Sequence, residues 1–178
     1  MTKISAEWLL DERLQDLLAA LSAGDEEARV VGGAVRNTLM ERPVTDIDIA
    51  TTTLPEETIR RAEAIGLKTV PTGIDHGTVT VIADRRPYEV TTLRRDIETD
   101  GRHAVVSFGR DWQADAERRD FTINALYVDA AGEVLDLVGG DEAYDDNTDV
   151  VDSIIGGRPD VEFVIPEEPE EEDPFWAD

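Results

Sequence analysis

Asp46 and Asp48 stand two residues apart, alternating with Ile47 and Ile49. On an extended strand that spacing puts both carboxylates on one face and both isoleucines on the other. Paired carboxylates repel unless something neutralises them, and a hard divalent cation with oxygen ligands, magnesium above all, is the usual answer. The same alternation also describes the wet face of an ordinary amphipathic strand. Glu89 is a candidate third acid: Tyr88 and Val90 point away from it, and a neighbouring strand would bring it beside Asp46 and Asp48. A plain solvated side chain fits Glu89 equally well. Three acids around one or two magnesium ions would activate a hydroxyl and steady a leaving pyrophosphate during in-line phosphoryl transfer.

Upstream lies Val30-Val31-Gly32-Gly33-Ala34-Val35-Arg36-Asn37. Two glycines between a strand and a helix let backbone approach a phosphate closely, and Arg36 adds a planar fork for a phosphate or a sugar hydroxyl. Gly32 and Gly33 also suit a plain strand-to-helix turn. Arg118 and Arg119 are adjacent on a predicted helix and so point about 100° apart, which leaves one for a site and one for an acid or solvent. Asp120 and Asn124 fall where that helix gives way to a strand and read as a local capping network. Arg94-Arg95 forms another anion-facing rim or surface decoration. His76 reads as a local hydrogen-bonding residue and Trp112 as a core or hinge residue.

These side chains need elements to hold them. Leu10, Leu14, Leu17, Leu18 and Leu21 predict an amphipathic helix that Ser5 caps and Gly24 ends. A strand over 29–31, a helix start over 34–40, a strand over 45–50 and a Pro55-initiated helix to Ile65 follow. Gly77–Ile82 and Tyr88–Leu93 read as an antiparallel hairpin, then a loop over 96–109, a helix over 115–120, and strand segments over 123–128 and 134–138. The texture is that of an α+β domain, a mixed sheet with helices mainly on one face.

The chain has 178 residues and no cysteine, which excludes a disulfide framework, a thiolate zinc site and a cysteine nucleophile. No run approaches the roughly 18 apolar residues of a bilayer span, so no membrane is expected and the protein reads as cytoplasmic. Its net charge of −24 is uneven: residues 1–140 hold 16 basic and 26 acidic side chains, residues 141–178 one and 15. Such a balance argues against a broad basic nucleic-acid surface; a polyanionic partner must be held locally, by arginines or metal ions. The Pro- and Glu-rich end reads as a flexible acidic tail. The organisation expected is an N-terminal helix over 1–27 packed on the main unit, a main unit over 28–140, and the tail over 141–178.

Five ordered segments carry a resemblance: Val-Gly-Gly-Ala-Val-Arg at 31–36, Asp-Ile-Asp at 46–48, Gly-Thr-Val-Thr-Val at 77–81, Glu-Val-Thr-Thr-Leu-Arg at 89–94 and Arg-Arg-Asp-Phe-Thr-Ile-Asn-Ala at 118–125. Together they resemble the head domain of bacterial tRNA nucleotidyltransferases (CCA-adding enzymes) and the related poly(A) polymerases. The resemblance implies a polymerase-beta-like nucleotidyltransferase head in which Asp46 and Asp48 hold catalytic Mg2+ and Glu89 supports them. It also implies that Gly33, Arg36 and Arg119 contact the incoming nucleotide, with Gly32 beside them. The implied reaction is template-independent transfer of a nucleoside monophosphate from CTP or ATP to an RNA 3′-hydroxyl, above all the tRNA 3′ end. Asn37 departs from the family, where an aspartate usually follows the arginine. The family's neck, body and tail helices, which read the base and grip the tRNA, are not visible in residues 141–178. Weak tRNA binding, or a second chain supplying those helices, is therefore expected. The alternative is a non-catalytic or partner-dependent truncated head that serves as a nucleotide- or protein-binding module.

Overall fold

The computed structural model describes residues 2–96 and 106–140. Its centre is a sheet whose strands run β3 (Lys68–Gly73), β4 (Thr78–Ala83), β5 (Arg86–Thr92), β2 (Asp48–Thr51), β1 (Ala28–Val31), β8 (Leu126–Val128) and β9 (Val134–Asp136) in spatial order. Neighbours are antiparallel except β2 and β5, which pair parallel with Asp48 opposite Glu89. The connection between those two parallel strands carries α3 (Pro55–Ala64) and then the β3–β4 part of a meander. A small ribbon of β6 (Arg94–Asp96) and β7 (Val106–Phe108) stands apart from the main sheet.

Alternation along the strands separates two cores. Val30, Ile49, Val79, Val81, Tyr88, Val90, Leu126 and Val128 point to one face, covered by α1 (Glu12–Leu21), α2 (Gly33–Leu39) and α3. Leu14, Leu17, Leu18 and Leu21 of α1 are all buried there, each worth about 2 kcal/mol of removed apolar surface. Arg61 of α3 donates to the carbonyls of Ala20 and Ala23, satisfying groups that the end of α1 leaves unpaired. The opposite face carries the smaller cluster of Val31, Ala50, Leu93, Ala116 and Tyr127, with α4 (Trp112–Glu117) against it. The α+β class with helices mainly on one face is thus as expected.

Several local expectations shift. The cap of α1 is Asp11, whose carboxylate accepts from Arg13 N and Leu14 N, not Ser5; Leu10 falls in a preceding 3₁₀ turn and is 68% exposed. The strand expected over 45–50 runs Asp48–Thr51, so Asp46 lies just ahead of it. The last helix starts at Trp112, where Asp111 caps it. Part of the loop expected over 96–109 is instead strand, in β6 and β7. The acidic tail over 141–178 and His103 lie outside the described residues.

Candidate active site

One row of residues crosses the helix-poor face at a single level: Leu135, Tyr127, Val31, Asp48, Glu89, Thr80 and Val70, each opposite the next. Strand pairing therefore places the Asp48 and Glu89 carboxylates side by side. Asp46 joins them from the segment ahead of β2. Asp46, Asp48, Glu89, Ile47, Thr80 and Pro87 line one recess of about 460 Å³. Partial burial, then the charges of Glu89 and Asp46, raise the Asp48 carboxyl above its ordinary value, while Arg119 pulls the other way. Asp48 nevertheless reaches solvent at the mouth of the recess, so the shift joins partial burial to crowded acids around a site open on one side.

Two hollows of about 730 Å³ lie elsewhere, one lined by Glu7, Asp11, Arg42 and Arg86, the other by Glu27, Arg29, Arg110 and Asp111. Each mixes acids with arginines and is already neutralised. A further hollow of about 420 Å³, lined by Asp11, Glu12, Arg13, Asp16 and Asp84, is also acid-rich but holds an arginine; the carboxylate recess has no basic side chain in its lining.

On the β1 side of the acids, Gly32 takes φ 77°, a conformation that favours glycine, and opens the turn into α2. Arg36 sits one turn on, aimed by two side chains: Nη1 donates to Asn124 Oδ1 at 2.8 Å and Nε to Asn37 Oδ1 at 3.1 Å. Asn37 is itself anchored by donating to the Pro43 carbonyl at 3.0 Å. Asn37, the departure from the family's aspartate, thus buttresses Arg36. Asn124, expected in a local cap, instead reaches Arg36 across the fold.

Arg118 and Arg119 do not divide their roles as their angular spacing suggests. Both fork onto Asp115, Arg118 at 3.0 and 2.6 Å and Arg119 at 3.1 and 2.9 Å, while Tyr127 Oη donates to the same carboxylate at 2.7 Å. Burial alone would raise the Asp115 carboxyl; Arg119, Tyr127 and Arg118 outweigh it and hold it below the usual carboxylate value. Arg119 also lies over the Tyr127 ring, 5.5 Å from its centroid. Asp115 was missed from the sequence, although an acid three and four residues before two arginines on one helix is a recognisable pairing signal. Trp112 bridges outward: Nε1 donates to Glu27 at 2.5 Å, Arg29 stacks on its ring at 4.3 Å, and Tyr127 meets it edge-on. His76 is exposed in a 3₁₀ turn ahead of β4 and is not among the residues lining the recess.

Oxygen-only donors of high negative charge fit a hard divalent cation. Among the described residues no group of three or more His, Cys, Asp or Glu side chains is placed to hold a metal ion, so any cation in the recess would rest on fewer protein carboxylates. Among the described residues no helix is long and apolar enough to cross a membrane.

Comparison with known proteins gives a consistent answer. Residues 28–148 match the family described as "Poly A polymerase head domain". A CCA-adding enzyme of Bacillus cytotoxicus is 45% identical over 134 residues, 74% of this chain and 33% of that protein. The crystal structure of Bacillus stearothermophilus CCA-adding enzyme in complex with CTP aligns at TM-score 0.65 and 40% identity, covering 75% of this chain and 31% of that one. A tRNA nucleotidyltransferase complexed with a primer tRNA and an incoming ATP analog aligns at TM-score 0.56 and 27% identity, over 74% of this chain and 36% of that one. The chain spans about a third of the length of the relatives it matches.

Proposed function

This chain belongs to the Poly A polymerase head domain family, and on that premise we propose that it is a nucleotidyltransferase head acting on RNA 3′ ends. Its reaction is magnesium-dependent transfer of a nucleoside monophosphate from CTP or ATP to the tRNA 3′-hydroxyl. The observation that carries this reading is the recess lined by Asp46, Asp48 and Glu89 and by no basic side chain, where the acids' mutual charge raises the Asp48 carboxyl. Residues 28–140 form the transferase unit, with residues 1–27 packed on it.

Asp46 and Asp48 would hold the cation, with Glu89 supporting them. Bound there, a divalent ion lowers the pKa of the acceptor hydroxyl and offsets charge on the phosphates. The rest falls to the chain's own residues. Gly32 and Gly33 let backbone come close to the triphosphate, and Arg36, steadied by Asn124 and Asn37, orients its oxygens or the sugar. Arg119, on the same side of the acids, adds positive charge where negative charge accumulates. The acceptor 3′-oxygen bonds to the α-phosphorus, the bond between the α-phosphorus and its bridging oxygen breaks, and pyrophosphate leaves; the hydroxyl proton passes to a recess carboxylate. No side chain serves as a covalent nucleophile.

Incorporation of labelled CTP and ATP into tRNA lacking its terminal CCA, with magnesium and with the Asp48→Asn protein alongside, tests the reading. Extension by the wild type and not by the variant is expected. Extension by neither at high protein concentration would sink it and favour a non-catalytic head.

A further inference from the structure

We propose that Asn37 is a positioning residue that couples the two halves of the site: one end of its amide holds Arg36 for the triphosphate, and the other holds the segment that delivers Asp46 to the recess. The inference rests on the nucleotidyl-transfer reading and adds to it a link between phosphate binding and metal binding. Nothing between the end of α2 at Leu39 and the start of β2 at Asp48 is helix or strand, so Asp46 has no ladder to place it. Val44 and Ile47 pack into the core and fix the depth of that segment. Its bonds back to α2 converge on Asn37 and its neighbour: Arg42 N donates to the Asn37 carbonyl at 2.7 Å, Glu41 N to the Thr38 carbonyl at 3.2 Å, and the Asn37 side chain to the Pro43 carbonyl at 3.0 Å. Glu41 between them takes φ 54°, a conformation uncommon for a residue with a side chain, so the turn depends on those bonds.

The chemistry of this side chain is specific. Arg36 Nε can only donate and the Pro43 carbonyl can only accept, so the group between them needs an acceptor and a donor together, which an amide has. The aspartate that usually stands here in the family would receive Arg36, but when ionised it has no proton for Pro43. It would also neutralise the guanidinium. Arg29, Arg61, Arg118 and Arg119, half-buried like Arg36, each lie against a carboxylate. Arg36 is received instead by two neutral amide oxygens, of Asn37 and Asn124. Its direction is thereby fixed while its charge stays available to an anion. The remaining nitrogen, Nη2, lies 3.6 Å from where a side chain on Gly33 would begin, beside the turn suited to the triphosphate. Because both bonds meet on one planar group, a displacement of Pro43 turns the amide and moves Arg36 with it.

Two affinities of the full chain, measured separately, test the link: inorganic pyrophosphate without metal, by calorimetry in the presence of chelator, and Mn2+ alone, by electron paramagnetic resonance. Asn37→Ala is expected to raise both dissociation constants about fivefold, whereas Arg36→Ala raises only that for pyrophosphate, about tenfold or more. The double variant should bind pyrophosphate no more weakly than Arg36→Ala, since Asn37 acts on the anion through Arg36. Asn37→Asp, which keeps the shape and adds a charge, should raise the pyrophosphate Kd about tenfold and flatten its salt dependence, because one cation fewer faces the anion. An Asn37→Ala protein with either affinity unchanged, or a double variant in which the two losses multiply, would overturn the coupling. So would an Asn37→Asp protein that binds pyrophosphate as tightly as the wild type. A wild type that lacks either affinity would strike the transferase reading itself, and the coupling with it.

Discussion

Asp115 accepts from two guanidinium groups and a phenol, whereas Asp48, on the same side of the same sheet, meets two more carboxylates. The first acid is held below its ordinary pKa and the second is raised above it. The difference separates architecture from chemistry. Asp115 is a charge settled entirely inside the fold, joining α4 to β8. Asp48 is a charge the fold leaves unbalanced, which stability alone gives no reason to keep and a ligand does.

That contrast can be broken most forcefully at Asp115. Asp115→Ala strands two half-buried arginines against a buried phenol and should cost about 3–5 kcal/mol in urea unfolding. A smaller cost would mean the arginines find solvent or other acids. Asp48→Asn should act the opposite way, cutting nucleotidyl transfer by about a hundredfold or more while leaving the unfolding temperature equal or higher, because it relieves repulsion. A lowered unfolding temperature would show that Asp48 is structural. Tyr127→Phe, which removes one donor from Asp115 and little volume, should cost about 1 kcal/mol. The smallest effect is the pH dependence. The depressed Asp115 carboxyl contributes stability above the unfolded carboxylate pKa, near 4, which disappears as pH falls through its folded value. Asp48, raised, costs stability when ionised, so its penalty is relieved as pH falls through its folded value. Unfolding curves of Asp48→Asn and wild type should therefore converge below about pH 4 and separate as pH rises, and a constant offset would contradict the raised carboxyl.

Local readings carried far where the physics was local. Leu14 to Leu21 on a 3.6-residue period, Pro55 opening a helix, and the alternation about Tyr88 and Val90 all became the elements they suggested. The hairpin turn at Asp84 and Arg85 is likewise as compact as the flanking alternation implies, both residues taking positive φ. Pairings between distant segments were not legible in the same way. That β2 would lie parallel to β5 depends on how the intervening helix packs, and that Asn124 would steady Arg36, 88 residues away, leaves no periodic trace. Asp46 shows the limit at its finest. Strand alternation was the argument for placing it beside Asp48, yet it precedes the strand and reaches the same recess by the path of the loop.

The lone parallel pairing among the described strands has a consequence in time. β4 and β5 can meet through a two-residue turn, whereas Asp48 and Glu89 are some forty residues apart and meet only after a whole crossover has closed. Contacts of such sequence separation carry a large loop-closure entropy and form late in folding. The carboxylate recess is thus among the last features a nascent chain completes, and a molecule that has made its hairpin but not its crossover would hold every acid of the site without yet having the site.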